Sequence, residues 1–190
     1  SGINKKHIKI IHGNGLNHKN FVNSNNSKNL SIVKFLFVGR LLKDKGLIEF
    51  LESSKEIIKA YQGQILIGVA GSSDKNNPAS LNQENLKKEY DFEEINFFGD
   101  LSQSEVMDLY AEYNVFVLPS YREGLPRSAI EASLSGMPLI LSDVPGCREC
   151  LEEGKNGFFV RDRSAKEILK KMKYFVQNKE KINQMGTYSR

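Results

Sequence analysis

The amino-acid sequence predicts a doubly wound α/β domain built around a parallel sheet. Short apolar runs rich in β-branched and aromatic residues alternate along the chain with segments of helical periodicity. The runs are apolar on both faces, so helices are expected to cover both sides of the sheet. Ligands of such sheets bind beyond the carboxyl ends of the strands, where the βα loops gather. Those loops are therefore the place to look for chemistry.

The strands and helices follow one another regularly after residue 30. The predicted strands are Val33–Val38, Gln64–Ala70, Ile95–Phe98, Val115–Leu118, Pro138–Leu141 and Gly157–Val160. The predicted helices cover 46–61, 79–90, 103–112, 127–135 and 147–153, with a terminal helical stretch from 164. Helix 46–61 carries apolar residues at helical spacing. These residues are Leu47, Phe50, Leu51, Ile57 and Ile58.

The first 30 residues are predicted to be an entry segment, and residues 31–190 the folded domain. A short candidate strand, His7–Ile11, is followed by Gly-Asn-Gly and then by the polar stretch NFVNSNNSKNL at 20–30. Asn and Ser at that density are typical of a loop or linker.

The composition and charge of the chain limit the classes of protein to which it can belong. The chain has 190 residues, of which 39% are hydrophobic and 26% charged, as in an ordinary globular domain. No apolar run approaches the roughly 20 residues that span a bilayer. The net charge of +4 is mild, and lysines alternate with glutamates as on solvated helix faces. We therefore expect no nucleic-acid partner.

The two cysteines, Cys147 and Cys150, are too few for a disulfide framework, so a reducing cytoplasm is expected. Their CxxC spacing leaves a metal or redox site open. A structural zinc site needs four ligands, and the three histidines lie far away near the N-terminus. Two ordinary loop thiols are the favoured interpretation.

The loop after the first strand carries two cations. Gly39 permits a sharp turn at the end of FLFVG, and Arg40 and Lys45 flank the segment that leads to Gly46 and the next helix. Cations beside a helix N-terminus suit a diphosphate, although two surface cations on a turn remain an alternative. The loop is neither a Walker A loop nor GxGxxG, so those nucleotide-binding fingerprints are missing.

A second loop, before the helix at 127–135, carries Glu123 and Gly124, and Glu131 follows inside the helix. Pro126 suits the start of a helix. The free N–H groups there favour an anion, while the carboxylates accept hydrogen bonds from hydroxyls. The N-terminus of this helix therefore suits a ligand that has both phosphate and polyhydroxyl parts. The alternative is structural, with Glu123 capping the helix and Glu131 paired with a lysine.

These segments together resemble family 4 retaining glycosyltransferases, which have the two-domain GT-B fold. The match begins at FVGRLLKDKG and continues through YNVFVLPS, REGLPRSAIEA, GMPLILSDVPGCRE and GKNGFFV, over roughly residues 33–160. Two glutamates separated by seven residues, Glu123 and Glu131, form the family motif. The resemblance is to bacterial enzymes of capsular, exopolysaccharide or lipid-linked glycan synthesis. It implies the C-terminal, Rossmann-like, donor-binding half of GT-B.

The resemblance also implies catalytic roles. Arg40 and Lys45 would hold the donor diphosphate and stabilise the departing nucleoside diphosphate, so that no metal or other cofactor is required. Glu123 would contact the donor sugar. A covalent nucleophile at Glu123, by analogy with glycosidases, is disfavoured because the family places this glutamate beside the sugar hydroxyls.

The remaining implied contacts are to the substrate. Glu131 would accept hydrogen bonds from the ribose, and the nucleotide base would lie along Phe98, Gly99 and Asp100, held largely by main chain. The other implied contacts are Gly39, Gly71, Gly124, Leu125 and Pro126.

The expected donor is a nucleotide-sugar, UDP- before GDP-, carrying a hexose or N-acetylhexosamine. The expected acceptor is a glycan or lipid-linked molecule, and a second, N-terminal domain would bind it. That domain would also place the protein at the inner face of the plasma membrane. This chain alone is expected to bind donor but to transfer little. A stand-alone nucleotide-sugar-binding module and a sugar-nucleotide epimerase of related fold are the alternatives.

Overall fold

The structure is a computed structural model that describes residues 30–74 and 76–190. The predicted strand at His7–Ile11 and nearly all of the entry segment 1–30 lie outside the described residues. The division of the chain at residue 30 therefore stays a prediction.

Within the described residues, six strands form one sheet in the order β3-β2-β1-β4-β5-β6, and every neighbouring pair is parallel. The strands are β1 (Val33–Val38), β2 (Ile65–Ala70), β3 (Ile95–Gly99), β4 (Val115–Leu118), β5 (Leu139–Ser142) and β6 (Gly157–Val160). The order reverses between β1 and β4, which makes their carboxyl ends the topological switch point of the sheet. The predicted doubly wound parallel sheet is confirmed.

Helices fill the connections between the strands, and a 3₁₀ turn at Lys43–Lys45 precedes the first helix. The helices are α1 (Leu47–Ala60), α2 (Gln83–Glu89), α3 (Gln103–Glu112), α4 (Arg127–Leu134), α5 (Pro145–Arg148), α6 (Ala165–Gln177) and α7 (Lys179–Ser189). Helix α1 packs against α6, and α4 packs against α7. The predicted terminal helical stretch is thus two helices, which meet at Asn178.

The core consists of the apolar residues of the strands and the helix faces that cover them. All four residues of β4 and of β5 are buried, which explains why these strands show no alternation in sequence. The rings of Phe37 and Phe50 stack with centroids 6.2 Å apart and join β1 to α1. Burial of side chains of this size contributes about 1.5–3 kcal/mol each.

The helix predicted at 147–153 is wrong in its extent. Helix α5 is a single turn that ends at Arg148. The side chain of Asn156 accepts a hydrogen bond from the Glu152 backbone N–H at 2.7 Å and donates to the Cys150 carbonyl at 3.0 Å. These bonds hold 150–156 as a loop, because they take backbone groups that a longer helix would need.

The helix predicted at 79–90 begins later, at Gln83. Backbone atoms of Ala79 and Leu81 bond instead to the loop after β1, through Lys43 N–H to Ala79 O at 2.9 Å and Leu81 N–H to Leu41 O at 2.7 Å. Asn82 then caps α2 by accepting from Asn85 N–H at 3.0 Å. Tertiary pairing of this segment therefore replaces its first helical turn. The other predicted element ends agree with the structure to within one residue, except the start of α5, which lies two residues earlier than predicted.

None of the helices among residues 30–74 and 76–190 is long and apolar enough to cross a membrane.

Candidate functional site

The loops after β1 and β4 meet at the switch point of the sheet. Gly46 has a φ of 70°, and a Cβ on it would lie only 2.1 Å from the carbonyl oxygen of Pro119. The Tyr121 backbone N–H donates to the Asp44 carbonyl at 2.8 Å. A glycine at position 46 is therefore what allows the two loops to touch, because a side chain there would push them apart. This approach brings Lys45 beside the loop that carries Glu123.

Lys45 and Glu123 form a largely buried ion pair. Lys45 Nζ lies 2.7 Å from Glu123 Oε1, with side chains only 21% and 9% exposed. Ser120 Oγ donates to the same oxygen, also at 2.7 Å. Glu123 is thus held in place by two donors before any ligand arrives. The alternative that Glu123 caps the following helix is wrong, since Pro126 occupies the N-cap position of α4 without a side-chain cap bond.

Glu131 is a buried carboxylate with a different partner for each oxygen. Arg127 Nε donates to Oε1 at 2.9 Å, and the Tyr110 hydroxyl lies 3.2 Å from Oε2 and 3.2 Å from the Ser128 carbonyl oxygen, the two acceptors for its proton. Burial, and then the charge of Glu131, raise the pKa of Tyr110 well above its usual value, so the phenol remains a donor. The alternative of a lysine partner for Glu131 is wrong, because the cation is an arginine one turn earlier in α4.

Arg40 lies at the carboxyl end of β1 with 60% of its side chain exposed, and its guanidinium is 3.5 Å from Asp74. This weak, solvated pair leaves the guanidinium able to turn towards a ligand. Arg40 and Lys45 do not contact the same carboxylate, but both line one cavity.

That cavity has a volume of about 280 Å³ and opens between the ends of β1 and β4 and the start of α4. The predicted site residues that line it are Gly39, Arg40, Lys45, Glu123, Leu125 and Pro126. Its other lining residues are Val38, Leu118, Arg127 and Ser128. Val38 and Leu118 are the last residues of β1 and β4. The cavity therefore lies at the carboxyl ends of these strands, where ligands of parallel sheets bind. Arg127 and Ser128 are the first two residues of α4, the helix whose N-terminus the sequence predicts to favour an anion.

The other predicted site residues lie outside the cavity lining. They are Gly71, Phe98, Gly99, Asp100, Gly124 and Glu131. Gly71 has a φ of 142°, and its missing Cβ would be 1.9 Å from Gly39 O. Its N–H donates to Gly99 O at 2.7 Å. Gly71 and Gly99 therefore lie beside the loop that carries Arg40, at the same edge of the sheet.

Phe98 is an exposed residue at the end of β3 that keeps one ring contact. Its ring meets that of Tyr113 edge-on, with centroids 6.2 Å apart, while Asp100 is exposed. A ligand contact made by main chain along Phe98–Asp100 is compatible with this arrangement. The assignment of the nucleotide base to this stretch stays a prediction.

The two cysteines are free thiols, and Cys147 is a fully buried residue of α5, not a loop thiol. Burial, and then the charge of Glu123, raise its pKa to about 12. Burial raises the pKa of Cys150 to about 11. Both thiols are thus protonated at neutral pH and weakly reactive. Among residues 30–74 and 76–190, no three His, Cys, Asp or Glu side chains come together as a metal site requires.

A larger groove, of about 590 Å³, follows α6 and is lined mainly by charged side chains such as Lys166, Lys170 and Lys173. No residue of the loops after β1 and β4 lines it. The smaller cavity at the switch point is the candidate site, because it lies at the carboxyl ends of β1 and β4, where ligands of parallel sheets bind.

Comparisons with known proteins identify the family of the chain. The family model for glycosyl transferases group 1 matches residues 18–190. An N,N'-diacetylbacillosaminyl-diphospho-undecaprenol alpha-1,3-N-acetylgalactosaminyltransferase from Campylobacter jejuni is 30% identical over 190 residues, covering 94% of this chain and 48% of that protein. The capsular polysaccharide biosynthesis glycosyltransferase CapM of Staphylococcus aureus is 29% identical, covering 91% of this chain and 46% of that protein.

Solved structures share the fold. A sucrose-phosphate synthase from Thermosynechococcus elongatus superposes with a TM-score of 0.78 at 24% identity, over 92% of this chain and 45% of that one. The C-terminal domain of a group 1 family glycosyltransferase from Francisella tularensis gives 0.77 at 21% identity, over 92% of this chain and 94% of that one. The Anabaena protein HepE, solved with UDP and glucose, gives 0.71 at 17% identity, over 84% of this chain and 42% of that one.

The chain spans about half the length of the curated relatives that it matches. Its sheet is the Rossmann-like sheet of one half of a GT-B enzyme, as the resemblance implied. The family match covers nearly the whole sequence. The chain therefore belongs to the family of glycosyl transferases group 1.

Proposed function

We propose that the chain is the donor-binding half of a retaining glycosyltransferase. It binds a nucleotide-sugar from which a hexose or N-acetylhexosamine passes to a glycan or lipid-linked acceptor in surface polysaccharide synthesis. The observation that carries the proposal is the cavity at the switch point, where Arg40, Lys45 and Glu123 lie around the N-terminus of α4.

The cations supply the electrostatic part of the reaction. Departure of a nucleoside diphosphate from the anomeric carbon builds negative charge on the phosphate oxygens. Arg40 and Lys45 line the cavity and are proposed to neutralise that charge, together with the positive dipole end of α4. These groups do the work that a metal ion does in other transferases, so we propose that the donor binds without metal.

The two carboxylates supply the acceptors for hydroxyl groups. Oε1 of Glu123 accepts hydrogen bonds from Lys45 and Ser120. The second oxygen, Oε2, is proposed to accept from a sugar hydroxyl. Glu131 is oriented by Tyr110 and is proposed to accept from the ribose. Backbone N–H groups from Gly124 to the start of α4 are proposed to contact sugar hydroxyls and phosphate.

The proposed nucleotide is UDP, with GDP next. Several similar structures were solved with UDP, among them HepE with UDP and glucose. The Campylobacter relative takes its name from a diphospho-undecaprenol acceptor, which supports a lipid-linked acceptor here as well. The acceptor site is proposed to lie in the other half of a two-domain enzyme that works at the cytoplasmic face of the membrane.

Calorimetric titration tests the proposal directly. The chain is titrated with UDP, GDP and ADP in the presence of a chelator, and the titrations are repeated on Arg40→Ala, Glu131→Gln and, as a control, Lys166→Ala in α6. We expect one nucleotide to bind without metal. Each site variant should weaken it by about tenfold, since a hydrogen bond to a charged group contributes about 1.5–3 kcal/mol. Lys166→Ala should bind as the wild type does.

Binding of none of the three nucleotides would contradict the proposal. Equal weakening in the site variants and in the α6 control would show that the cavity at the switch point is not where the nucleotide binds.

A further inference from the structure

The first residue of α4 is a cation, which is locally unfavourable. Helix α4 begins at Arg127 and has no acidic residue in its first turn. The positive end of the helix dipole repels a cation at this position. Residues that depart from such a local rule are expected at functional or strained sites. Arg127 is such a residue, and it also lines the cavity that holds Arg40 and Lys45.

The two side chains that contact Glu131 differ in their exposure, and therefore in how easily each can move away from it. Tyr110, which donates to Oε2, is fully buried, whereas the side chain of Arg127, which donates to Oε1, is 64% exposed. Glu131 itself is only 11% exposed. Movement of Arg127 would therefore expose Oε1, while Tyr110 would keep the carboxylate oriented and hydrogen-bonded.

Each cation of the cavity is paired with a carboxylate in this structure. Lys45 is paired with Glu123, Arg40 with Asp74 and Arg127 with Glu131. A diphosphate that enters the cavity is a stronger acceptor for a guanidinium than one carboxylate oxygen, because it offers several oxygens and more charge. Arg127 reaches Glu131 along its own helix and lines the cavity, so one side chain serves both positions.

We propose that Arg127 is a donor-responsive latch. Without ligand it covers Oε1 of Glu131, and when a nucleoside diphosphate binds, it transfers to the phosphate oxygens and leaves Oε1 free to accept from a nucleotide hydroxyl. This inference rests on the proposed function, since it takes the cavity to be the diphosphate site. The exchange replaces one charge-assisted hydrogen bond by another and leaves no buried oxygen without a donor.

The latch makes the phosphate and the nucleoside parts of the ligand depend on each other. A ligand with phosphate moves Arg127 away and so prepares Glu131 for the hydroxyls. A nucleoside without phosphate must compete with Arg127 for Oε1. Arg127 therefore increases the preference for UDP over uridine by more than the binding free energy of its own contact with phosphate.

The test compares UDP with uridine on variants of Arg127. UDP binding is measured by calorimetry, and uridine binding by ligand-observed NMR, on the wild type, Arg127→Gln and Arg127→Lys. Arg148→Gln is the matched control, because Arg148 is a similarly exposed arginine in an ion pair, 2.6 Å from Asp143, outside the cavity. Thermal unfolding confirms that each variant is folded.

We expect Arg127→Gln to weaken UDP by about tenfold while uridine binds at least as tightly as to the wild type. Arg127→Lys keeps the charge and should lose less UDP affinity. Arg148→Gln should change neither ligand. In a crystal structure with UDP, Arg127 Nε should lie beyond 4 Å from Glu131 Oε1 and within hydrogen-bond distance of a phosphate oxygen.

Equal weakening of UDP and uridine in Arg127→Gln would overturn the inference, since it would show a purely structural ion pair. Unchanged UDP affinity would overturn it as well. If the wild type binds UDP and Arg40→Ala weakens it, such a result leaves the proposed function standing. If the wild type binds no nucleotide, the proposed function and the latch fail together.

Discussion

Gly146 packs directly against the carbonyl group of Gly124. A Cβ on Gly146 would lie 1.9 Å from Gly124 O and 2.6 Å from Glu123 O. The turn after β5 therefore supports the backbone of the loop that carries Glu123, and the close approach requires a residue without a side chain. Cys147, the next residue, is fully buried in the core.

Gly146→Ala is expected to displace the Glu123 loop. The new methyl group meets backbone and not a flexible side chain, so the free energy of unfolding should fall by about 1–3 kcal/mol, as for an overpacked core. Gly124→Ala is the control on the other side of the same contact, because nothing lies within 4 Å of a Cβ at Gly124. It should stay within about 0.5 kcal/mol of the wild type in urea unfolding. Equal stability of the two variants would contradict the contact.

Gly46→Ala is expected to be more damaging than Gly63→Ala, although both glycines have a φ of 70°. The left-handed backbone costs alanine about 1–2 kcal/mol at either position. At Gly46 the methyl group would also lie 2.1 Å from Pro119 O, whereas at Gly63 nothing lies within 4 Å. Urea unfolding should show an additional loss of about 1–3 kcal/mol for Gly46→Ala. A difference near zero would mean that the loops after β1 and β4 do not touch.

The Lys45–Glu123 pair is expected to be energetically coupled. A double-mutant cycle with Lys45→Met and Glu123→Gln should give a coupling energy of at least about 1 kcal/mol, because both side chains are largely buried. The same cycle on Lys59 and Glu56, which are 55% and 56% exposed, is the control. That surface pair should give less than about 0.5 kcal/mol. Similar coupling energies in the two cycles would argue against burial of the Lys45–Glu123 pair.

Stability is expected to fall in alkali because of Cys147. Burial raises the pKa of the Cys147 thiol in the folded chain from 9.0 to about 12, so the unfolded chain loses this proton first as the pH rises. The contribution is complete below pH 9 and is lost as the pH rises towards 12. From pH 8 to pH 10, the thiol should account for about 1.4 kcal/mol of lost unfolding free energy.

Cys147→Ala, measured under reducing conditions by urea unfolding, should remove that part of the pH dependence. Leu151→Ala is the control, because it destabilises a neighbouring part of the core without removing an ionisable group. If Cys147→Ala declines with pH as steeply as the wild type, the thiol is not buried in the folded chain.

Local sequence predicted the strands well and some helix ends poorly. Strands such as Val33–Val38 and Gly157–Val160 agree with the structure because buried parallel strands are continuous apolar runs with clear ends. The segments at 79–82 and 149–153 look helical by composition, but their backbone groups bond to the loop after β1 and to Asn156. Such long-range bonds leave no periodic pattern in the sequence.

The fold class, the family and the loops that carry the site follow from the amino-acid sequence, because they depend on apolar runs, glycine positions and a motif of neighbouring residues. Which groups share a hydrogen bond depends on the tertiary structure. Lys45 and Glu123 are 78 residues apart, and they meet because the strand order reverses between β1 and β4. Tyr110 reaches Glu131 from another helix in the same way. Pairing across loops depends on distances of a few ångströms, and those are set by how the whole sheet packs.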